Sequence, residues 1–117
     1  MRIQTRRVYD PPQPTDGVRI LVDRLWPRGV QKEVADIDVW LRDVAPSDEL
    51  RRWYGHDPGK SDEFKERYFR ELDAHPRAVD QLKGIVSGAA TLIYSAKDPD
   101  HNQAVALKEY IENLPRS

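Results

Sequence analysis

Arg19-Ile20-Leu21-Val22-Asp23-Arg24-Leu25-Trp26-Pro27-Arg28-Gly29 joins an aliphatic run directly to a cluster of ionic and aromatic side chains. Strand side chains alternate between faces, so an unbroken Ile20-Leu21-Val22 leaves neither face polar and predicts a strand over 18–22 covered on both sides. Such strands belong to the middle of α/β sheets. The polar cluster that follows lies where such a strand would end.

Upstream, Ile3, Thr5 and Val8 predict a strand over 3–8, but Ile3 and Val8 fall on opposite parities, which predicts a bulge or an early strand end. Tyr9 to Gly17 holds three prolines and an Asp-Gly step and reads as a turn too short for a crossover helix. Downstream, Ile37, Trp40, Leu41 and Val44 recur at helical spacing behind Asp36, which predicts a short helix with Asp36 as its N-cap. Ser47 caps a helix to about Tyr54, with Gly55 closing it. Phe64, Tyr68 and Leu72 sit four apart on a helix over 61–74 that Pro76 stops. That proline opens the next helix, which buries Val79, Leu82, Ile85 and Val86. Thr91 to Tyr94 reads as a third strand. Asp98-Pro99 reads as the start of the closing helix, with Ala104, Leu107 and Ile111 inward. The expected architecture is α/β, a small, mostly parallel sheet of three or four strands flanked by four to five helices, in a single domain over 1–117.

A chain of 117 residues buries roughly two thirds of its unfolded surface around one core, which leaves no length for a second domain. Its 19 Lys and Arg against 20 Asp and Glu give a formal charge of −1, so attraction to an anion must be local. The basic excess lies in residues 1–32, which hold the cluster. With no cysteine, disulfides, thiol nucleophiles and thiolate metal sites are excluded. The polar N-terminus does not suit a secretory signal, and no run is long enough to span a membrane. The expected location is the cytoplasm.

Ligands of open α/β sheets settle beyond the carboxyl ends of the strands, where helix N-termini and free loops meet. Two predicted strands end in polar clusters: Asp23, Arg24, Trp26 and Arg28 after the second, and Ser95, Lys97 and Asp98 after the third. If those strands are parallel neighbours, the clusters converge. Arg24, Arg28 and Lys97 would hold a phosphate or carboxylate, because Arg offers a planar fork and Lys a point charge. Trp26 would supply a stacking wall or a lid over the core, and Asp23 would orient an arginine or act as a base. Ser95 and Lys97 have the spacing of an activated hydroxyl and its base. The same residues also read as a neutralised ion network and a turn.

His56, His75 and His101 lack metal-site spacing, so neither metal nor cofactor is expected. His101, assigned to the first turn of the last helix, is of the three the histidine placed to touch a ligand or move a proton, with an ordinary surface histidine as the more common reading. His56 suits a loop ligand as well as an ordinary helix connection.

The chain resembles the YeaO-like branch of a bacterial domain-of-unknown-function family. The resemblance rests on Arg6-Arg7-Val8-Tyr9-Asp10, Asp16-Gly17, the long motif from Arg19 to Gly29, Ala45-Pro46-Ser47, Glu49-Leu50-Arg51, Phe64 to Tyr68, and Leu92-Ile93-Tyr94-Ser95-Ala96-Lys97. It implies a small α/β fold and no established activity. It also implies, in longer relatives, a cysteine at the third strand end and a Cys-His-Arg at the next helix start. Here the stretch reads Ser95 to Gln103 without a thiol, so no thiol chemistry carries over.

The leading expectation is binding of a small anionic or phosphate-bearing ligand at this rim, with or without turnover. A nucleic-acid-binding or regulatory role would draw on Arg2, Arg6, Arg7, Arg19, Arg24 and Arg28, but a pI near 6.3 and the absence of a recognition motif speak against it. A protein-partner module would use an edge strand over 3–8. The sequence assigns no oligomeric state.

Overall fold

In a sheet whose strands all run parallel, every carboxyl end emerges on the same rim, and the computed structural model, which describes residues 2–114, has this form. Four strands, β1 (Arg2–Arg7), β2 (Val18–Leu21), β3 (Val39–Trp40) and β4 (Ala89–Tyr94), stand in the order β1-β4-β2-β3, each pairing parallel. The helices are α1 (Lys32–Ala35), α2 (Asp48–Tyr54), α3 (Ser61–Asp73), α4 (Pro76–Ile85) and α5 (Gln103–Glu112). The α/β class, the parallel sheet and the helix number are those expected from the sequence.

Ile20, Leu21 and Val22 are each fully buried, and they divide between the two faces as period two requires. Ile20 and Val22 join the larger core with Leu92, Phe64, Tyr68, Leu82 and Leu107, so α2 to α5 cover that face. Leu21 joins Val8, Ile93 and Ala35 on the other face, where Trp26, Val30, Ile37 and Trp40 pack. Each such aliphatic side chain contributes about 1.5–3 kcal/mol on burial.

Of the two expected outcomes for β1, two covered faces remove the bulge, and the strand ends at Arg7, one residue before Val8. Ile3 serves the larger core and Val8 the smaller one, so opposite parity is what an unbroken strand needs. β1 pairs with β4 in continuous register from Arg2↔Ala89 to Arg7↔Tyr94, and the Val8 amide donates to the Tyr94 carbonyl at 2.7 Å.

The helix expected behind Asp36 is instead an edge strand. Asp36 adopts a left-handed φ of 52° and closes α1, and Val39 and Trp40 then pair with Ile20 and Leu21. The Asp38 carboxylate accepts the Arg19 amide at 2.8 Å, and the Leu41 amide donates to the Leu21 carbonyl at 2.9 Å. The unpaired edge of β2 needs such partners, and satisfying it outweighs a weak helical spacing that includes β-branched residues. The closing helix also starts later than expected. Asn102 caps α5 by accepting the Val105 amide at 3.0 Å, while Asp98 accepts the amides of Asp100 and His101 and folds the preceding loop.

Two features tie the turn before β2 to the sheet. Asp16, 1% exposed, accepts from Arg6 Nε and Nη2 at 3.0 and 2.8 Å, from the Gln13 amide at 3.0 Å, and from Arg19, itself 2% exposed. Gly17 follows with φ +65°, and a Cβ there would stand 2.2 Å from the Ala89 carbonyl oxygen. Only glycine lets the turn pass this close to β4.

Candidate functional site

Inserting β4 between β1 and β2 makes the exits of β2 and β4 neighbours, and the Val22 amide still bonds the Ile93 carbonyl at 3.0 Å just past the last paired residue of β2. Beyond that point the chains diverge. The segment after β2 turns toward the smaller core and α1, while the segment after β4 leads to α5 on the larger one. A crevice opens where consecutive strand exits part to opposite faces. Here it is a cleft of about 480 Å³ lined by Asp23 to Arg28, Pro46, Ser95, Ala96, Asn102, Gln103 and, from α2 and its neighbours, Arg51, Arg52, Tyr54, His56 and Phe64.

Asp23 is the single carboxyl in that lining. Its backbone is fixed by Trp40, whose indole N–H donates to the Asp23 carbonyl at 2.8 Å. The residue is 7% exposed; the Gln103 side-chain amide donates to Oδ1, and Oδ2 has no hydrogen-bond partner. Burial pushes the carboxyl above the ordinary aspartate range, opposed by the nearby hydroxyl and amide of Ser95, the charge of Arg51 and the Gln103 amide. The group is held toward its neutral form.

Four guanidinium groups share the cleft: Arg24, Arg28, Arg51 and Arg52. Arg24 braces its wall, donating to the carbonyls of Pro46 and Ala45 at 3.3 Å each, just ahead of α2. Arg51 stands 3.4 Å from Asp48, an exposed pair one turn apart on the helix that water screens. The side chains of Arg28 and Arg52 form no ion pair among the described residues. Trp26 closes its own loop by donating to the Val30 carbonyl at 2.7 Å and sets its ring edge against Trp40, with centroids 5.5 Å apart. It therefore caps the smaller core and forms a fixed wall of the cleft. Tyr54 and Phe64 stack at 4.2 Å on the opposite side, and the Tyr54 hydroxyl donates to the His101 carbonyl at 3.2 Å.

Of the residues singled out from the sequence, Asp23, Arg24, Trp26, Arg28, His56 and Ser95 meet in this cleft. Lys97 is exposed and is not part of its lining, so the spacing of Ser95 and Lys97 does not bring both side chains to one pocket. His101 lies in the loop ahead of α5 rather than in its first turn, and its Nδ1 lies 2.8 Å from Asp98. Sequence reasoning missed Arg51, Arg52, Tyr54, Asn102 and Gln103. Arg51 left a usable signal, because Leu50 and Tyr54 face inward four residues apart and put Arg51 at the border of the buried face, whereas Arg52 falls on the opposite side of the helix and left none. Among the described residues no group of three or more His, Cys, Asp or Glu side chains is arranged to hold a metal ion.

Residues 2–116 match the family model described as "Inactive DUF488-N3 subclade". The chain is 41% identical over 115 residues to "Uncharacterized protein YeaO" of Escherichia coli (strain K12), an alignment covering 97% of this chain and 100% of that protein. It is 51% identical over 71 residues to an uncharacterized protein of Mycobacterium bovis, covering 61% of this chain and 60% of that one. An uncharacterized protein of Mycobacterium tuberculosis (strain ATCC 25618 / H37Rv) matches with the same identity and coverage. No solved structure gives a significant match.

Proposed function

This chain belongs to the inactive DUF488-N3 subclade as a YeaO-like protein, and on that premise we propose that it binds a small anionic or phosphate-bearing ligand, without turning it over, in the cleft at the exits of β2 and β4. One observation carries the reading: four arginines line a cleft whose single carboxyl is buried and held toward neutrality. On a molecule of formal charge −1 this is a local positive field over low-dielectric walls, the arrangement that concentrates anions. Arg28, Arg51 and Arg52 are the anion-holding groups, Arg24 holds the wall that presents the last two, and Trp26 and Tyr54 bound the ligand's carbon skeleton. The volume suits a metabolite, since small-molecule sites span about 300–1,000 Å³. Charge-assisted bonds contribute about 1.5–3 kcal/mol each, so two or three reach roughly millimolar to micromolar affinity. The description "inactive" favours binding over catalysis.

The nucleic-acid reading loses support from the same coordinates. Arg19 is buried, Arg6 and Arg19 are engaged on Asp16, and Arg7 donates to the Ala96 carbonyl at 2.9 Å. Among the described residues no helix is long and apolar enough to cross a membrane. The cysteine-free composition supports a cytoplasmic location.

Thermal shift and calorimetry at low salt with sulfate, inorganic phosphate, nucleoside monophosphates and sugar phosphates test this reading. A ligand at a hundred times its Kd stabilises by about 2.7 kcal/mol. The double variant Arg28→Ala/Arg52→Ala should lose that shift while remaining folded. No stabilisation by any anion overturns the proposal.

A further inference from the structure

We propose that anion binding in this cleft is coupled to protonation of Asp23, so that the protein takes up a proton as it takes up a fully ionised oxyanion. The inference rests on the anion-binding reading and adds the regulation of that same site. Asp23 lines the cleft, 7% exposed, with one oxygen occupied by Gln103 and the other without a partner. A carboxylate fully satisfied by donors or by a paired cation would stay ionised when an anion arrives. Asp23 falls short of both: Gln103 occupies Oδ1 and the Ser95 hydroxyl and amide lie near, but Oδ2 has no hydrogen-bond partner and no cation forms an ion pair with the carboxyl among the described residues. As a neutral acid it leaves Arg28 and Arg52 unopposed, whereas Arg24 and Arg51 keep their exposed partner Asp48 at 3.8 and 3.4 Å; once ionised it places a negative charge in the low-dielectric wall of the cleft. An anion and an ionised Asp23 therefore exclude each other, and by linkage each proton bound at Asp23 favours the anion by the factor with which the anion favours the proton. Burial already pushes the carboxyl in the required direction.

The other charged groups around Asp23 do not reproduce this behaviour. Arg24 and Arg28 on its own segment, and Arg51 and Arg52 on α2, keep their charge throughout the accessible range. The Tyr54 phenol is raised by burial and stays neutral. His56, after α2, is the remaining titrating group in the lining; His101, ahead of α5, lies outside it and faces Asp98 at 2.8 Å. Both histidines are controlled in the test.

Sulfate is the probe, because its own charge is constant from mildly acid to alkaline pH. Calorimetry of the wild-type protein in two buffers of different ionisation enthalpy should show proton uptake of at most about one per sulfate, and the Kd should rise by up to about tenfold per pH unit above the native pKa of Asp23. Asp23→Asn, nearly isosteric and permanently neutral, should keep the acid-side affinity and flatten the profile. His56→Asn and His101→Asn should retain the slope. A flat wild-type profile with no proton uptake, a slope that survives in Asp23→Asn, or a slope abolished by either histidine variant overturns the coupling and leaves the anion site standing. Failure of sulfate, phosphate and phosphomonoesters to bind at any pH removes the site and the coupling together.

Discussion

Replacing Asp16 by asparagine should destabilise the fold more than any equally conservative change near the site. The carboxylate is 1% exposed and bonds two guanidinium groups, one of which, Arg19, is itself 2% exposed. Asparagine preserves the shape but removes the charge and turns an N–H₂ group toward one of its donors. Arg19 also donates to the carbonyls of Ala35 and Asp36 at 2.9 and 3.0 Å, so it cannot swing out to water without leaving those unpaired. Breaking such a pair from one side costs about 3–5 kcal/mol, a large share of the about 5–15 kcal/mol that holds a domain together. At about 4 °C per kcal/mol for a chain of this length, Tm should fall by about 12–20 °C. The effect has a pH signature. Burial works to raise the Asp16 pKa, but the Gln13 amide and the guanidinium groups of Arg6 and Arg19 hold it below the ordinary value. Its contribution is therefore complete above the unfolded value of about 3.9 and is lost as pH falls through the lower native value. Urea denaturation of both proteins from neutral to strongly acid pH measures the gap. A neutral-pH difference below about 1 kcal/mol, or one that acid does not narrow, refutes the assignment of Asp16 as an ionised, buried anchor.

Gly17→Ala should destabilise by on the order of 1–3 kcal/mol from its backbone conformation alone, with overlap at the Ala89 carbonyl adding to it. Gly84→Ala, on α4 with nothing within 4 Å of the new methyl, should instead stabilise by about 0.5–1 kcal/mol, and urea midpoints of the two variants give opposite shifts. Tyr68→Phe should cost about 1–3 kcal/mol in the same assay, because the buried hydroxyl donates to the Val44 carbonyl and leaves it unsatisfied. Asp23→Asn should be more stable than wild type at neutral pH. The native carboxyl pKa is raised, so wild-type stability declines as pH climbs from the unfolded value to the native one, and the advantage of the variant must vanish below that window. An advantage that persists at the acid end contradicts the raised pKa.

The parts of the fold legible in the sequence are those whose partners are interchangeable. Ile20, Leu21 and Val22 demand apolar cover on both faces whatever supplies it, and Ser47, Gly55 and Pro76 act on their own helices. β3 was illegible because two residues carry no periodicity; Val39 and Trp40 become a strand only when the open edge of β2 reaches them. Asp98 and Asn102 are both competent caps, and the choice between them was settled when Asp98 turned its carboxylate to the amides of Asp100 and His101. The same division holds in the site. Asp23 to Arg28 and Ser95 were found because each follows its own strand directly, whereas Arg51 and Arg52 depend on how α2 docks. Lys97 and Ser95 are two residues apart in sequence, but only Ser95 is at the cleft, because the chain has already left the extended conformation that would align them.

Charge asymmetry along the sequence also fails to map onto charge asymmetry in space, and this decides where an anion is held. The basic excess in residues 1–32 suggests an N-terminal patch, yet Arg6 and Arg19 are consumed by Asp16 and Arg7 lies over the Tyr9 ring at 4.7 Å. What remains of that excess at the strand ends is Arg24 and Arg28, and they are joined by Arg51 and Arg52 from the acidic half of the chain. The cleft is therefore positive because the tertiary fold brings together cations from halves of opposite net charge, while Asp16 neutralises Arg6 and Arg19. Its field depends on the placement of α2, which is secured at one end by Arg24 on the Ala45 and Pro46 carbonyls and at the other by Tyr54 on the His101 carbonyl. Loosening either contact should weaken anion binding without removing any of the residues that touch the ligand.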